Sequence, residues 1–345
     1  MIRKKENTLF LGINLGTSRT TVLSSRGAKG WMRSVVGQPR AGFGGGTTVP
    51  MPFIGEEALN RKATLDLSVP WKEGILGEGD EKSFMAVRAL IAHAQRMADP
   101  GSDEQVYGIL VVPARAALVN KGPLLKVAHE FMDLALVFPE PFMVAYGIDR
   151  LANAIIVDIG AATTNLCAMR GSIPGPGDQV TLLTGGDAID KTLSEAINHT
   201  HPEARMTPAI AKKLKERFGH VATGGREMAM VELKIEGGVG LYDIAPEAGL
   251  ACASILPPMI AAITGLIETF APGDREAVVR NIVLTGGGSR IRGMARGLMS
   301  GLASFGEVQV HEVADPEFAG VTGALKLATE LPFDYWTRAT EGTGD

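Results

Sequence analysis

The sequence predicts an α/β protein of two domains, each with a mostly parallel sheet and a loop suited to phosphate binding. Three observations predict this fold class. The chain has 345 residues, more than one ordinary hydrophobic core organises. Apolar runs of strand length alternate with segments of helical spacing, which is typical of a parallel sheet with helices on its faces. A short motif near the N-terminus occurs again near the middle of the chain.

The central motif is DIGAATTN at residues 158–165. It follows the apolar run at 153–157, which predicts a buried strand. An acidic residue at a strand end can hold a hydrated divalent cation, and Gly160 lets the backbone turn so that its N–H groups point toward a phosphate. Thr163 and Thr164 add hydroxyl donors. One such loop is a weak signal, because many hairpins contain glycine and threonine.

The same order of residues occurs near the N-terminus, in NLGTSRTT at residues 14–21. Aligned with the central motif, Asn14 falls on Asp158 and Gly16 on Gly160. An internal repeat of this kind indicates two similar halves, each bringing one hairpin to a shared site. The sequence therefore predicts that two hairpins hold the phosphates of one nucleotide.

Hydrophobic spacing predicts the other elements of the first half. In chain order they are a strand at 29–36, a mobile loop at 37–52, a helix at 81–97, a strand at 105–112, a helix at 118–132, a strand at 134–138 and a helix at 142–148. The loop is rich in Gly and Pro. It begins a polar insertion that ends near residue 74 and forms either a subdomain or a lid.

The second half continues with strands and helices in alternation. Its elements are a strand at 179–183, a helix opening at Gly185 with Asp187 as its N-cap, a helix at 207–218 capped by Thr207, two exposed strands within 226–241, a strand at 281–284 and a closing helix at 318–327 before a polar, loose tail from 337. The turn TGGGS at 285–289 follows a strand and opens a helix. Such a turn lets a charged or flat ligand approach the backbone.

Composition excludes some classes of partner and site. Lys and Arg number 34 and Asp and Glu 38, giving a net charge of −4, which argues against nucleic acid as the main partner. Cys167 and Cys252 lie in apolar surroundings without CxxC spacing, as expected of buried free thiols in a reducing cytoplasm. His199 and His201 have no third ligand nearby in sequence, so a surface position is favoured over a metal site.

Two segments bear on membranes. Residues 1–8 are charged and lack the apolar centre of a signal peptide, and they are too short for an amphipathic anchor. Residues 248–267 carry no charge and have the length of a bilayer span. Pro257 and Pro258 interrupt that segment, so two buried helices meeting at the prolines are favoured over a span.

Several motifs carry a resemblance to a known family. They are FLGI at 10–13, SVVG at 34–37, VPAR at 112–115, EPFMV at 140–144, IVDIG at 156–160, GPGDQVT at 175–181 and GGGSRIRG at 286–293. Together they resemble the actin, sugar kinase and Hsp70 ATPase superfamily. The match is closer to the bacterial actins, in particular to the filament proteins that position magnetosomes, and it covers nearly the whole chain.

The resemblance implies an actin fold, in which two domains of duplicated ribonuclease H-like topology flank a nucleotide cleft and each carries a smaller subdomain. Domain I would span 1–148 and 321–345, with its subdomain at about 37–74. Domain II would span 149–320, with its subdomain at about 187–245. Filaments would assemble head to tail in the cytoplasm, because a heterologous contact that does not close makes a filament.

The resemblance also implies the site residues, with ATP or ADP and Mg²⁺ as ligands. The nucleotide-binding residues would be Asn14, Gly16, Thr17, Ser18 and Arg19 in the first loop; Asp158, Gly160, Ala161, Ala162 and Thr163 in the second; and Lys212, Lys215, Glu216, Gly286, Gly287 and Gly288 near adenosine and ribose. Asp158, and Asn14 through water, would hold the metal. Glu140 would orient the attacking water, although it could simply cap the next helix. The lysines could form a solvated helix face.

Three positions depart from the family pattern. Asn14 and Asn165 stand where the family usually has Asp, and Ala162 where it has Gly. The neutral residues and the added charge of Arg19 predict weaker Mg²⁺ binding and slower hydrolysis, as in a divergent second copy. Replacing Asn14 by Asp is accordingly expected to tighten the Mg²⁺ requirement and raise turnover.

The sequence leaves two functions open within this fold. One is an ATPase that polymerises into filaments aligning magnetosomes, with itself and magnetosome-associated proteins as partners. The other is a weakly hydrolysing filament protein that co-polymerises with another bacterial actin. A small-molecule kinase would need a base for the substrate hydroxyl, and no candidate is found. Neither nucleic acid nor direct membrane insertion is expected.

Overall fold

The computed structural model describes residues 7–40, 51–77, 79–221, 228–235 and 237–341. The chain divides into two compact units, which we call domain I (Met1–Arg150 and Glu317–Asp345) and domain II (Leu151–Pro316). The first boundary falls two residues and the second four residues from the positions proposed from the sequence.

Domain I begins with alternating strands and helices. Its strands are β1 (Thr8–Leu15), β2 (Arg19–Ser24), β3 (Lys29–Arg33), β4 (Val36–Pro39), β5 (Phe53–Ile54), β6 (Leu65–Ser68), β7 (Gln105–Val112) and β8 (Leu134–Pro139). Its helices up to the domain boundary are α1 (Glu56–Asn60), α2 (Glu81–Ala98), α3 (Ala114–Val119), α4 (Lys121–Ala128) and α5 (Glu140–Gly147).

Domain II repeats the alternation, and the chain then returns to domain I. The strands of domain II are β9 (Ala152–Ile159), β10 (Thr164–Arg170), β11 (Gln179–Leu182), β12 (Met230–Ile235), β13 (Gly238–Asp243), β14 (Ile282–Thr285) and β15 (Val310–Glu312). Its helices are α6 (Gly186–Thr200), α7 (Pro208–Phe218), α8 (Ala245–Ala253), α9 (Leu256–Glu268), α10 (Arg275–Val279) and α11 (Met294–Gly301). Helices α12 (Ala319–Glu330) and α13 (Phe333–Glu341) belong to domain I.

The main sheets of the two domains have the same strand order. In domain I the order is β3-β2-β1-β7-β8, and in domain II it is β11-β10-β9-β14-β15. In each sheet the first hairpin pairs antiparallel and the later strands join in parallel. The duplicated topology predicted from the repeat is therefore confirmed.

Strand β1 divides its side chains between two layers because successive residues of a strand face opposite sides. Leu9, Leu11 and Ile13 join the apolar core that α2 covers. On the other face, a Cβ at Gly12 would lie 2.9 Å from the Val321 carbonyl oxygen of α12. The polar residue Asn14 follows on this second face, which α12 covers.

The insertion of domain I is a small sheet rather than a loop. Strand β4 pairs antiparallel with β5 and β6, and α1 follows β5. The prediction of a loop at 37–52 is therefore wrong for residues 37–39, because Gly37 lies in β4 and its backbone packs against Leu65 and Ala58. The glycines at 44–46 lie outside the described residues.

Three local predictions are wrong for identifiable reasons. The helix predicted at 118–132 is instead α3 and α4, since the side chain of Asn120 between them bonds to the backbone N–H and carbonyl of Leu76. Helix α6 has Gly185 as its N-cap, so Asp187 lies in its first turn. The tail from 337 is helical as far as Glu341 in α13, and that helix is anchored by the buried ring of Trp336.

The uncharged segment of domain II forms α8 and α9, separated by two residues. Taken together as Ala245–Glu268, it is 24 residues long, and its most apolar 18-residue stretch has a mean hydropathy of 2.0, so it could cross a membrane by length and composition alone. A core helix passes the same test. Here 44% of the most apolar stretch is buried, and Cys252, Met259 and Ile263 lie in the domain core.

Candidate functional site

The two repeated hairpins have the same backbone geometry. In domain I the N–H of Gly16 donates to the carbonyl of Arg19 at 3.0 Å. In domain II the N–H of Gly160 donates to the carbonyl of Thr163 at 2.9 Å. Each hydrogen bond closes a four-residue loop between two antiparallel strands, so the alignment made from the sequence is confirmed in the backbone. We call residues 16–19 the first loop and residues 160–163 the second loop.

The first loop is fixed from two other parts of domain I. The indole Nε1 of Trp71 donates to the carbonyl of Leu15 at 2.7 Å, and this indole is buried. The N–H of Ser34 donates to the carbonyl of Ser18 at 3.1 Å. Sequence reasoning missed Trp71, because no local pattern indicates which distant carbonyl a buried indole will reach.

Arg19 of the first loop is already engaged by domain I. Its guanidinium forms an ion pair with Glu317 at 2.5 Å and lies 4.9 Å from the centre of the Trp31 ring. Glu317 lies two residues before the start of α12. A phosphate that recruits Arg19, as the sequence predicts, would have to compete with this carboxylate.

Asn14 and Glu140 are brought together, although 126 positions separate them in sequence. The amide Nδ2 of Asn14 donates to Glu140 Oε1 at 2.6 Å. The N-cap of α5 is Pro139, so Glu140 is the first helical residue and not the cap residue. The positive end of the α5 dipole stabilises a carboxylate in the first turn. Both residues predicted for water and metal chemistry in domain I therefore form one polar pair.

The second loop rests on the start of α6. The N–H of Gly186 donates to the Gly160 carbonyl at 2.9 Å, and the N–H of Asp187 donates to the Ala161 carbonyl at 2.8 Å. A Cβ at Gly185 would lie 2.7 Å from both of these carbonyl oxygens, so glycine is required there by the close approach. The sequence indicated Gly185 and Gly186 only as a helix start, and their role against the second loop was missed.

Lys215 is tied to the same helix start. Its ammonium donates to the Gly186 carbonyl at 2.7 Å and forms an ion pair with Asp190 at the same distance. Burial raises the pKa of the Asp190 carboxyl, and Lys215 offsets part of this shift. Lys215 itself lies in α7. In that helix Lys212 is half-buried, whereas Lys213 and Glu216 are exposed. The contacts of Lys215 and Glu216 with adenine and ribose stay predictions.

Asp158 lies where β9 and β14 end side by side, and 3% of its surface is exposed. A Cβ at Gly286 would lie 2.3 Å from Asp158 Oδ1, and one at Gly288 would lie 2.2 Å from the Ile159 side chain. Gly287 between them faces open space. Two of the three predicted adenosine glycines are therefore needed for packing beside Asp158, and Gly287 is the one with room on its surface.

Asn165, opposite Asp158 on β10, is satisfied within domain II. Its Oδ1 accepts a hydrogen bond from the Thr181 hydroxyl at 3.0 Å, and its Nδ2 donates to Thr163 Oγ1 at 3.3 Å. The amide therefore supports the end of the second loop. Residues 14–19 and 158–165, all of which the structure describes, contain one acidic residue, which is Asp158.

The residues present fit a hydrated cation better than a directly ligated one. In the described part of the chain, no group of three or more His, Cys, Asp or Glu side chains is placed to hold a metal. However, Asn14 Oδ1 is buried and accepts no hydrogen bond from a described residue. Such an acceptor suits a water molecule of a Mg²⁺ hydration shell, since Mg²⁺ usually keeps several waters in proteins.

The two cysteines are buried and unpaired. Burial raises the pKa of both thiols, to about 11 for Cys252. Thiols of this kind are poor nucleophiles because the reactive species is the thiolate. The sequence-based interpretation of buried, structural thiols is confirmed.

Two domains of equal strand order, each with a glycine loop between its first two strands, define the class of actin-like nucleotide-binding proteins. A family model described as "MreB/Mbl protein" matches residues 8–332. The chain belongs to this MreB/Mbl family of actin-like proteins.

Relatives in the family are called MamK. The chain is 42% identical over 339 residues to the actin-like protein MamK of Paramagnetospirillum magneticum, covering 98% of this chain and 97% of that protein. It is equally identical to MamK of Magnetospirillum gryphiswaldense, with 98% and 94% covered. The MamK-like protein of P. magneticum is 32% identical, with 97% and 99% covered. The chain thus resembles MamK more than this MamK-like protein.

Solved structures agree with the fold. A MamK double helical filament matches with a TM-score of 0.87 and 43% identity, over 94% of this chain and 100% of that chain. A non-polymerising MamK variant bound to AMPPNP matches with a TM-score of 0.79 and 42% identity, over 94% and 99%. The predicted actin fold is confirmed, and nucleotide binding is a property found in the family.

Proposed function

We propose that this protein binds ATP with Mg²⁺, hydrolyses it slowly and polymerises head to tail into cytoplasmic filaments that align magnetosomes. The observation that carries this proposal is the repeated hairpin, in which two loops of equal geometry follow Asn14 and Asp158. The filament and AMPPNP-bound structures of MamK, with over 40% identity, support extending both properties to this chain.

The first and second loops would bind the phosphates through backbone N–H groups and the hydroxyls of Thr17, Ser18 and Thr163. Asp158 and Asn14 Oδ1 would accept hydrogen bonds from waters of the metal. Mg²⁺, when bound, offsets the negative charge that develops on the phosphoryl oxygens. Open surface at Gly287 offers room for adenosine.

Glu140 would orient the attacking water in the hydrolytic step. The water oxygen forms a bond to the γ-phosphorus, the bond to the β–γ bridging oxygen breaks, and ADP leaves with that electron pair. Glu140 accepts a proton from the water as the new bond forms, or passes it to solvent. Glu140 lies in the first turn of α5, where the positive end of the helix dipole stabilises a carboxylate.

A second function is favoured by the neutral residues of the site. Asn14 and Asn165 leave Asp158 as the acidic side chain of the two strand ends, which weakens metal binding. The chain would then be a weakly hydrolysing filament protein that co-polymerises with another bacterial actin. Phosphate release at steady state separates the two functions, because the first requires turnover that depends on Glu140.

Assembly is the first test of the proposal. With ATP and Mg²⁺ the protein is expected to sediment, and negative-stain microscopy of the pellet is expected to show filaments. Without nucleotide it should stay largely in the supernatant. A protein that remains monomeric at high concentration with ATP and Mg²⁺ would contradict the filament function.

Replacing Lys215 with methionine is expected to weaken ATP binding roughly 10-fold, the size of one lost charge-assisted hydrogen bond. The change removes the bond to the Gly186 carbonyl and so loosens the helix start that supports the second loop. Binding is measured by calorimetry at a temperature where both proteins are folded. Lys213→Met is the matched control, since Lys213 is exposed on the same helix. If the Lys215 and Lys213 variants bind ATP with equal affinity, Lys215 does not contribute to the nucleotide site.

A further inference from the structure

We propose that Glu317 is a positioning residue that competes with the nucleotide phosphates for Arg19, so that phosphate binding releases the residues leading into α12. This inference rests on the nucleotide binding proposed above, and it adds to that function a link between the first loop and α12. The observation that carries it is the ion pair of Arg19 with Glu317 at 2.5 Å.

One face of the β2–β3 hairpin carries Arg19, Trp31 and Arg33. Arg33 lies opposite Arg19 in the register, and Trp31 is two positions from Arg33 on the same strand. Residues in these positions project from one side of a sheet. The centre of the Trp31 ring lies 4.9 Å from the guanidinium carbon of Arg19 and 6.0 Å from that of Arg33. This is the face that α12 covers, because it continues across the sheet to Gly12.

The residues that lead into α12 lie on this face and contact two of its cations. Glu317 pairs with Arg19, and the ammonium of Lys29 lies 4.2 Å from the centre of the Phe318 ring. Lys29 projects from the same side of β3 as Trp31. Glu317 is also the first residue of domain I after the chain returns from domain II. The ion pair therefore ties the first loop to the segment through which the chain enters α12.

The Arg19–Glu317 pair uses the donors that a phosphate would need. A guanidinium presents its N–H groups as a planar fork that matches a carboxylate or a phosphate. The two side chains are 34% and 26% exposed, so water screens the pair in part and the partners can exchange. Nucleotide phosphates carry more charge than one carboxylate, and they attract the guanidinium more strongly at equal distance. Nucleotide binding should therefore transfer Arg19 from Glu317 to a phosphate.

Loss of this ion pair would be felt at the start of α12. Gly320 lies three residues after Glu317, and a Cβ added there would lie 3.4 Å from Glu140 Oε1. In the first turn of α12 the N–H of Thr322 donates to the Phe318 carbonyl at 2.8 Å. Releasing Glu317 removes a side-chain contact just before this turn. The turn that packs against Glu140 should therefore gain freedom when a phosphate is bound.

The first test measures affinity for AMPPNP with Mg²⁺ by calorimetry, at a protein concentration at which nothing sediments. Removing the competitor in Glu317→Gln should tighten binding about 2- to 5-fold, the range of a partly exposed ion pair. Arg19→Gln should weaken binding roughly 10-fold, because a charge-assisted contact with phosphate is lost. The double variant Arg19→Gln/Glu317→Gln should bind like Arg19→Gln, since Glu317 acts on affinity through Arg19.

Glu56→Gln is the matched control for Glu317→Gln. Glu56 pairs at 3.0 Å with Arg33, which lies opposite Arg19, and its loss should leave affinity for AMPPNP unchanged. An unchanged affinity in Glu317→Gln would overturn the inference. So would a gain of the same size in the Arg19→Gln background, because that gain would come from removing a negative charge near the phosphates and not from competition.

The second test follows Arg19 through the fluorescence of Trp31. The chain has three tryptophans. Trp71 and Trp336 are buried, whereas Trp31 is 44% exposed, and the difference in emission between the wild type and Trp31→Phe isolates its signal. Saturating AMPPNP with Mg²⁺ should change this signal as the guanidinium leaves the ring, and the change should be absent in Arg19→Gln. A wild-type signal that AMPPNP leaves unchanged would show that Arg19 stays with Glu317.

Amide hydrogen exchange at Thr322 tests the consequence for α12. AMPPNP with Mg²⁺ should speed this exchange about 2- to 5-fold in the wild type, the factor expected from losing one partly exposed ion pair. In Glu317→Gln the exchange should already be faster by this factor without nucleotide. Equal exchange in the wild type and Glu317→Gln would contradict the link to α12.

These measurements use the whole chain and need no turnover, so slow hydrolysis does not affect them. If the wild type binds AMPPNP but Glu317→Gln and Arg19→Gln act independently on affinity, the inference is wrong and the proposed function stands. If the wild type binds no AMPPNP, the proposed function fails and the competition for Arg19 fails with it.

Discussion

Replacing Glu140 with alanine is expected to lower the rate of phosphate release about 10²-fold, the size of losing one acid–base contact. Filaments should still form with ATP, and they should persist longer because we expect ATP hydrolysis to promote their disassembly. Phosphate release under saturating ATP and Mg²⁺ measures the first effect, and sedimentation over time measures the second.

Glu81→Ala is the matched control for Glu140→Ala. Glu81 is the first residue of α2, just as Glu140 is the first residue of α5, and it is exposed. Both changes remove a first-turn carboxylate, so both weaken a helix start to a similar extent. Phosphate release should be unchanged in the Glu81 variant. Equal rates in both variants and the wild type would leave Glu140 as a structural turn residue.

Replacing Gly286 with alanine is expected to destabilise domain II by about 2–5 kcal/mol, from a strained positive φ and an overpacked site. The φ of Gly286 is 78°, and the added Cβ would lie 2.3 Å from Asp158 Oδ1 and 2.6 Å from the Ile159 carbonyl oxygen. Any variant that stays folded must displace Asp158, so ATP binding should also weaken. Denaturant unfolding and calorimetry measure the two effects.

Gly287→Ala is the matched control for Gly286→Ala, because it adds the same methyl group to the same turn at a position where that group meets no neighbour. A Cβ at this neighbouring position meets nothing within 4 Å, and its φ is not in the positive range. Its stability should stay within about 0.5 kcal/mol of the wild type, as for an ordinary surface change. If Gly287→Ala weakens ATP binding while leaving stability unchanged, the open surface at Gly287 faces the nucleotide. Equal stability of Gly286→Ala and the wild type would show that the turn can move away from Asp158.

The repeat was readable from the sequence because it depends on short segments. A strand followed by a polar residue and a glycine loop is fixed by local apolar runs and by the turn that glycine permits. The structure agrees with the alignment of Asn14 with Asp158, because the loops that follow these two residues are closed by equivalent backbone hydrogen bonds. The repeat also predicted two similar halves, and the two main sheets have the same strand order.

Other elements were misjudged where a distant side chain decides the local structure. The helix predicted through Asn120 is broken by bonds from its amide to Leu76, 44 positions away. The tail at Trp336 is helical because its indole is buried near Tyr107, with ring centres 5.4 Å apart. Neither partner is visible in a local window, so propensity alone gave the wrong answer at both places.

The sequence by itself determined the duplicated fold, the two glycine loops and the residue types that could meet a phosphate or a metal-bound water. These depend on the order of neighbouring residues. The tertiary structure decided what each polar side chain contacts: Asn14 holds Glu140, Arg19 pairs with Glu317, and Lys215 supports the helix start beneath the second loop. The physical reason is that a hydrogen bond or ion pair needs its atoms within about 3–4 Å, and only chain packing brings residues so distant in sequence that close.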